Sequence, residues 1–135
     1  MSALRIVDSI TQLGPQDAGC VAVSGSHGGI SSARYAAAAR PVLSVFNDAG
    51  VGKDQAGLAA LPFLQAQGLA ACTVAHHSAR IGEAASTLAD GVVSHVNPLA
   101  QALGVVVGQS CQRVVQQLQD RSQHQDAKAA CSGPG

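Results

Sequence analysis

Aromatic residues are nearly absent from this chain: one Tyr, two Phe and no Trp make up 2% of its 135 residues. A core without large rings has to be assembled from Val, Leu, Ile and Ala. Such side chains each remove little apolar area from water, at roughly 25 cal/mol per Å². Charge is scarce too, at 12% of the chain, and the formal net charge is zero. With no basic surplus to meet a phosphate backbone, no nucleic-acid partner is expected. No apolar run reaches the ~20 residues of a membrane span, and the opening "MSALRIVDSITQ" lacks the apolar core of a secretion signal. Cys20, Cys72, Cys111 and Cys131 show neither a CxxC nor metal-ligand spacing. They read as reduced, mostly buried thiols, so the expectation is a cytoplasmic protein without membrane contact, metal or cofactor.

What the chain does have is short apolar runs, punctuated by glycine. Residues 1–121 read as a single domain, and 122–135, "SQHQDAKAACSGPG", as a flexible C-terminal tail without periodicity. "CVAVS", "PVLSVF" and "LAACTVA" are apolar without alternation, the pattern of strands covered on both faces. "GVVSHV" is a candidate further strand, and "LRIVDSITQL" fits a strand or a short helix equally well. Between them, "ISSARYAAAAR" reads as a helix capped by Ser31 or Ser32 and stopped by Pro41. "QAGLAALPFLQAQ" reads as a helix capped by Asp54, kinked or divided at Pro62 and ended by Gly68. Asn97 followed by Pro98 predicts a helix start. Cys111, Val114, Val115 and Leu118 predict one buried stripe on a closing helix. Alternating strands and helices define an α/β protein: a three-layer α/β/α domain with a small, mostly parallel sheet of about four to five strands.

Right-handed crossovers place every turn that leaves a parallel strand on one sheet edge, and the polar residues cluster in those turns. The expected ligand crevice lies there, at a switch in strand order. The first burst, "SGSHGG", offers Ser24, Ser26, His27, Gly28 and Gly29 ahead of a helix N-terminus. Free N–H groups there suit an anion or a developing oxyanion, and His27 suits acid–base work. On this reading Gly28→Val removes anion binding and leaves the domain folded. The second burst, "NDAGVGKD", offers Asn47, Asp48 and Lys53; it fails the P-loop pattern, which needs Gly where Asn47 stands and Ser or Thr where Asp54 stands. Asp48 is placed to orient His27 or carry a second proton. The third, "HHSAR", offers His76, His77 and Arg80, with at most one imidazole expected to face the crevice and Arg80 a fork for an anion. In the fourth, strand alternation would turn His95 away from Ser94.

The expected function is a small-molecule enzyme of hydrolase or lyase/isomerase type. Its substrate is a compact carboxylate- or phosphate-bearing metabolite. The catalytic candidates are His27, Asp48 and Ser26; Ser24, Gly28, Gly29, Asn47, Lys53, His76, His77 and Arg80 are the binding candidates. The alternative is a non-catalytic ligand-binding or accessory subunit using the same edge. G-x-S-x-G, G-x-G-x-x-G and H-E-x-x-H are all missing, which argues against an α/β-hydrolase, a dinucleotide oxidoreductase and a zincin. A thin core in a chain that is 47% hydrophobic predicts a homo-oligomer, with Ile81 and Leu88 as contacts. Light scattering at micromolar concentration reads this directly, and a single species near 13.5 kDa excludes it.

Overall fold

The computed structural model describes residues 3–119, apart from the side chains of Lys53 and Asp54. The tail expected over 122–135 lies outside the described residues. Five strands, β1 (Leu4–Val7), β2 (Val21–His27), β3 (Leu43–Asn47), β4 (Ala70–Val74) and β5 (Val93–Val96), form one sheet. β1 to β4 are parallel, and β5 runs antiparallel to β4. "LRIVDSITQL" divides into β1 and a 3₁₀ turn at Ile10–Gln12, so it contains both of the expected alternatives.

Each central strand is buried along most of its length because both of its faces are covered. Val21, Val23, Leu43, Val45, Cys72 and Val74 belong to one apolar cluster, while Ala22, Phe46 and Ala71 belong to the other. On the Phe46 face lie α1 (Ile30–Ala39) and α2 (Ala60–Ala66). The alanines Ala33, Ala36, Ala39 and Ala60 let these helices approach the sheet closely where rings are lacking. The opposite face carries α3 (Ala84–Asp90), α4 (Pro98–Ala102) and α5, over 111–119. Cys111, Val114, Val115 and Leu118 of α5 are all buried, as their spacing predicts. The three-layer α/β/α architecture follows.

Local chemistry sets the boundaries. The N-cap of α1 is Gly29, not a serine, and Ser32 is buried inside the helix. Arg40 closes α1 in the left-handed conformation, φ 55°, ahead of Pro41. The division at Pro62 falls earlier than the proline itself. The chain forms a 3₁₀ helix at Lys53–Leu58 and restarts as α2 at Ala60. Pro62 thus sits in the first turn of α2, where no intrahelical N–H is needed. Asn97 caps α4 as expected, its Oδ1 accepting from the Ala100 N–H at 2.9 Å. The same buried side chain also accepts from the Ala71 N–H and donates to the Leu61 and Leu69 carbonyls, joining β4, α2 and α4.

One expectation is overturned by topology. The strands follow chain order, β1-β2-β3-β4-β5, so the parallel strands contain no reversal and no crevice of the switch-point kind. After β4 the chain instead turns back across the strand ends. Asn47 Nδ2 donates to the Ala79 carbonyl at 3.1 Å, and the Gly82 N–H reaches the Gly25 carbonyl at 2.6 Å. Asp8 Oδ1, at the end of β1, accepts from Ala84 N at 2.9 Å and so caps α3 from another strand. A bond from Ala75 N to the Val92 carbonyl, 2.8 Å, brings the two ends of the excursion together. Among the described residues no helix is long and apolar enough to cross a membrane.

This path explains the glycines of the first burst. A Cβ on Gly25 would lie 2.6 Å from Glu83 N and 2.8 Å from the Asp8 carbonyl oxygen; one on Gly28 would strike the Gly57 carbonyl. Their missing side chains admit the protein's own backbone. Gly28→Val therefore destabilises the fold by at least about 1–3 kcal/mol, as overpacking does, and does not leave it intact as the sequence suggested. Urea unfolding measures it, and a wild-type midpoint would refute the packing argument.

Candidate functional site

The excursion between β4 and β5 encloses an open cleft of about 760 Å³, within the range of small-molecule sites. Its walls are the strap from His76 to Ile81, then Glu83, Ser86 and Asp90 at and on α3, with Asn47 and Ala49 at the end of β3. Serine hydroxyls that accept from backbone N–H groups hold the strap in place. Ser78 Oγ accepts from the Val92 N–H at 3.0 Å, and Ser86 Oγ accepts from the Arg80 N–H at 3.0 Å. Asn47 is fully buried at the floor, its Nδ2 donating to Ala79 and its Oδ1 accepting from the Ala49 N–H at 2.8 Å.

Beside the cleft stands Asp48. Its Oδ1 accepts from the Gly50 N–H at 2.9 Å and the His76 N–H at 3.0 Å, and His76 Nδ1 lies 3.4 Å away. The carboxylate is 6% exposed and the imidazole 58% exposed, so a buried anion holds a ring that reaches solvent. Burial alone would raise the Asp48 carboxyl. Hydrogen bonds from the Gly50 and His76 N–H groups, the nearby Ser94 hydroxyl and then the charge of His76 outweigh it and hold the group below the ordinary carboxylate range. The turn carrying Asp48 is itself strained. Ala49, Gly50, Val51 and Gly52 all have positive φ, and for β-branched Val51, at 70°, this is an outlier. Strain of about 1–3 kcal/mol at such a residue persists only where its surroundings over-determine it. Here the Asn47 and Asp48 side chains supply that constraint.

The structure thus groups the sequence-derived residues differently from the expectation. Asp48 pairs with His76 and not with His27. Both neighbouring imidazoles line the cleft, against the expected single one, and their rings stand edge-to-face with centroids 5.5 Å apart. Arg80 lines it too, with its guanidinium 3.8 Å from Glu83 and largely in solvent. The first burst lies elsewhere. Ser24 is buried and donates to the Val45 carbonyl at 2.8 Å, and Ser26 Oγ accepts from the Ile10 N–H at 2.9 Å. His27 is exposed at the end of β2, its ring so close to Gly29 that a Cβ there would lie 2.7 Å from Nε2. The Lys53 side chain lies outside the described residues.

Glu83, Ser86 and Asp90 were missed by sequence reading, and Ile81, expected as a subunit contact, lines the cleft instead. The segment before β5 is long for a connection between a strand and a helix, but nothing in its sequence shows that it folds back over β2 and β3. Cys72 and Cys111 are core: burial pushes the Cys111 thiol up to about 12 and that of Cys72 further still. No group of three or more His, Cys, Asp or Glu side chains arranged for a metal occurs among the described residues. No family model matches this chain, and neither the curated proteins nor the solved structures provide a match.

The depressed Asp48 group makes a pH prediction. Its contribution to stability is present above the unfolded carboxylate value, about 3.9, and is lost as pH falls through the lower folded value. Asp48→Asn is expected to be less stable than wild type near neutrality, with the gap narrowing below about pH 4. Unfolding free energies measured across this range test it; a gap that stays constant with pH contradicts the assignment.

Proposed function

We propose that the cleft between the strap and α3 is the active site of a small-molecule enzyme. Its chemistry is acid–base, of hydrolase or lyase/isomerase type, and the proton-transfer pair is His76 with Asp48. The observation that carries this reading is the 3.4 Å approach of His76 Nδ1, on the cleft wall, to the buried Asp48 carboxylate beside the cleft. A carboxylate on Nδ1 favours the Nδ1–H tautomer and leaves Nε2 as the proton acceptor. Asp48 stabilises the imidazolium formed when Nε2 takes a proton, which is how a buried carboxylate serves a general base. Arg80 supplies the anion fork. Because Glu83 and Asp90 line the same cleft, a dianionic phosphate would meet two carboxylates. A compact metabolite with a single carboxylate suits the charge pattern better. Asn47 acts as the rigid floor.

A second reading, a binding or accessory subunit, draws support from the openness of the cleft and the solvent exposure of Arg80, 82%. A homo-oligomer in the cytoplasm belongs to both readings. Ile81, 54% exposed, remains available for a subunit contact, whereas Leu88 packs on the core of its own chain.

Hydrolysis of p-nitrophenyl acetate and dehydration of a panel of small 2- and 3-hydroxy acids distinguish the readings. Wild type is expected to turn over at least one of these. His76→Gln then lowers kcat by about 10²–10⁴-fold, the usual size of a general-base contribution. Arg80→Gln acts mainly on KM, through loss of a charged ground-state contact. Equal rates in wild type and His76→Gln would overturn the enzyme reading; carboxylate binding without turnover would favour the second.

A further inference from the structure

The strap sets two imidazoles side by side in the cleft. His76 and His77 are consecutive at the exit of β4, and both line the cleft. Their rings stand edge-to-face, with centroids 5.5 Å apart and planes at 88°. Only one of them has a carboxylate. His76 Nδ1 lies 3.4 Å from Asp48, whereas among the described residues His77 has neither a hydrogen bond nor an ion pair. The charged groups lining the same cleft are Arg80, Glu83 and Asp90.

This geometry limits what the two rings can do. Non-bonded carbons touch at about 3.5–4.0 Å, so a substrate carbon held between two rings would keep them about 7 Å apart. A separation of 5.5 Å leaves no room for it. Racemisation by two bases, which must flank one carbon on opposite faces, is therefore excluded. Two rings in contact instead address a single face of a substrate, at neighbouring atoms. Their chemistry differs as well. A carboxylate on Nδ1 strengthens His76 as a proton acceptor, and a ring without such a partner gives up a proton more readily.

We propose that His77 is the general acid of the site, with His76 as its base, and that the reaction is syn elimination of water from a β-hydroxy carboxylate. Arg80 holds the carboxylate. His76 Nε2 takes the α-hydrogen as a proton, and the electron pair left behind is delocalised onto the carboxylate. That pair then forms the α,β double bond as the bond from the β-carbon to oxygen breaks. The departing hydroxide takes a proton from the His77 imidazolium and leaves as water. Both rings reach solvent, and exchange there returns His76 to the neutral form and His77 to the protonated one. The inference rests on the reading of His76 and Asp48 as the acid–base pair, and it narrows that reading to a lyase. A one-base isomerisation would leave His77 without a role.

The test separates removal of the α-hydrogen from departure of the hydroxyl. It uses the 3-hydroxy acids of the panel and their 3-chloro analogues, whose chloride leaves without a proton. Wild type is expected to dehydrate a 3-hydroxy acid and, in deuterium oxide, to exchange its α-hydrogen. His76→Gln loses both. His77→Gln keeps the exchange, loses dehydration by about 10²–10⁴-fold, and eliminates chloride at nearly the wild-type rate. A merely structural role for His77 would slow the departure of hydroxide and chloride alike, and that result overturns the proposal. Dehydration by His77→Gln at the parental rate overturns it too. With deuterium placed stereospecifically on the α-carbon, the hydrogen lost is the one syn to the hydroxyl; anti loss is a third contrary result. The two readings fail separately. A wild type that hydrolyses p-nitrophenyl acetate through His76 but dehydrates no 3-hydroxy acid rejects the elimination and keeps the acid–base pair. A wild type inert towards all of these substrates rejects both.

Discussion

One buried carboxylate organises the polar end of this sheet. Taking Asp48 out of water is tolerable only if hydrogen bonds replace its hydration. The donors come from two separate stretches: the Gly50 N–H in the turn after β3 and the His76 N–H, with its ring alongside, at the exit of β4. Each stretch is held in an unusual conformation. The first is left-handed over Ala49–Gly52, and the second begins the strap. The satisfied anion and the strained backbone explain one another, because neither is favourable alone. The exposed His76 ring is held beside the carboxylate as a by-product of this arrangement.

The scarcity of aromatic residues shapes the rest. Without rings to fill space, the α1 side of the sheet is packed with alanines, and only Phe46 contributes a large ring to the fully buried core. Close helix–sheet approach of this kind needs backbone clearance at the strand ends. Gly25 and Gly28 provide it, the first for the strap and the second for the turn at Gly57. The apolar surface left over, at Tyr35, Ile81, Val106 and Val107, is dispersed over several elements instead of filling the core. Asn97 compensates in part, because a single buried amide joins α2, β4 and α4 by hydrogen bonds where side-chain volume is limited.

Much of the fold was legible from local signals alone. Non-alternating runs mark strands covered on both faces, and they appear as β2, β3 and β4. The stripe from Cys111 to Leu118 is buried as helical periodicity requires, and the Asn97–Pro98 start of α4 follows from capping chemistry. These signals involve residues within a turn or two of each other. The candidate site was less legible. Asp48 and the His76–Arg80 segment were singled out because polar residues at strand ends are informative, but Asp48 was given His27 as its first partner. That choice depended on which strand end the strap would cross, and strand order leaves no mark on local sequence.

The sequence by itself determined the element types, the two-sided burial of the sheet and the concentration of polar groups at the strand C-termini. All three follow from periodicity, propensity and turn chemistry, which act over a few residues. Only the tertiary structure decided that β5 runs antiparallel, that the strands add in chain order, and that residues 75–92 close a cleft over β3. It also decided that Asp48 holds His76, and that a bulge places Ser94 within hydrogen-bond reach of both Thr73 and His95. These are contacts between residues tens of positions apart, set by how whole elements pack and by the need to satisfy one buried charge. No short stretch of the chain encodes them.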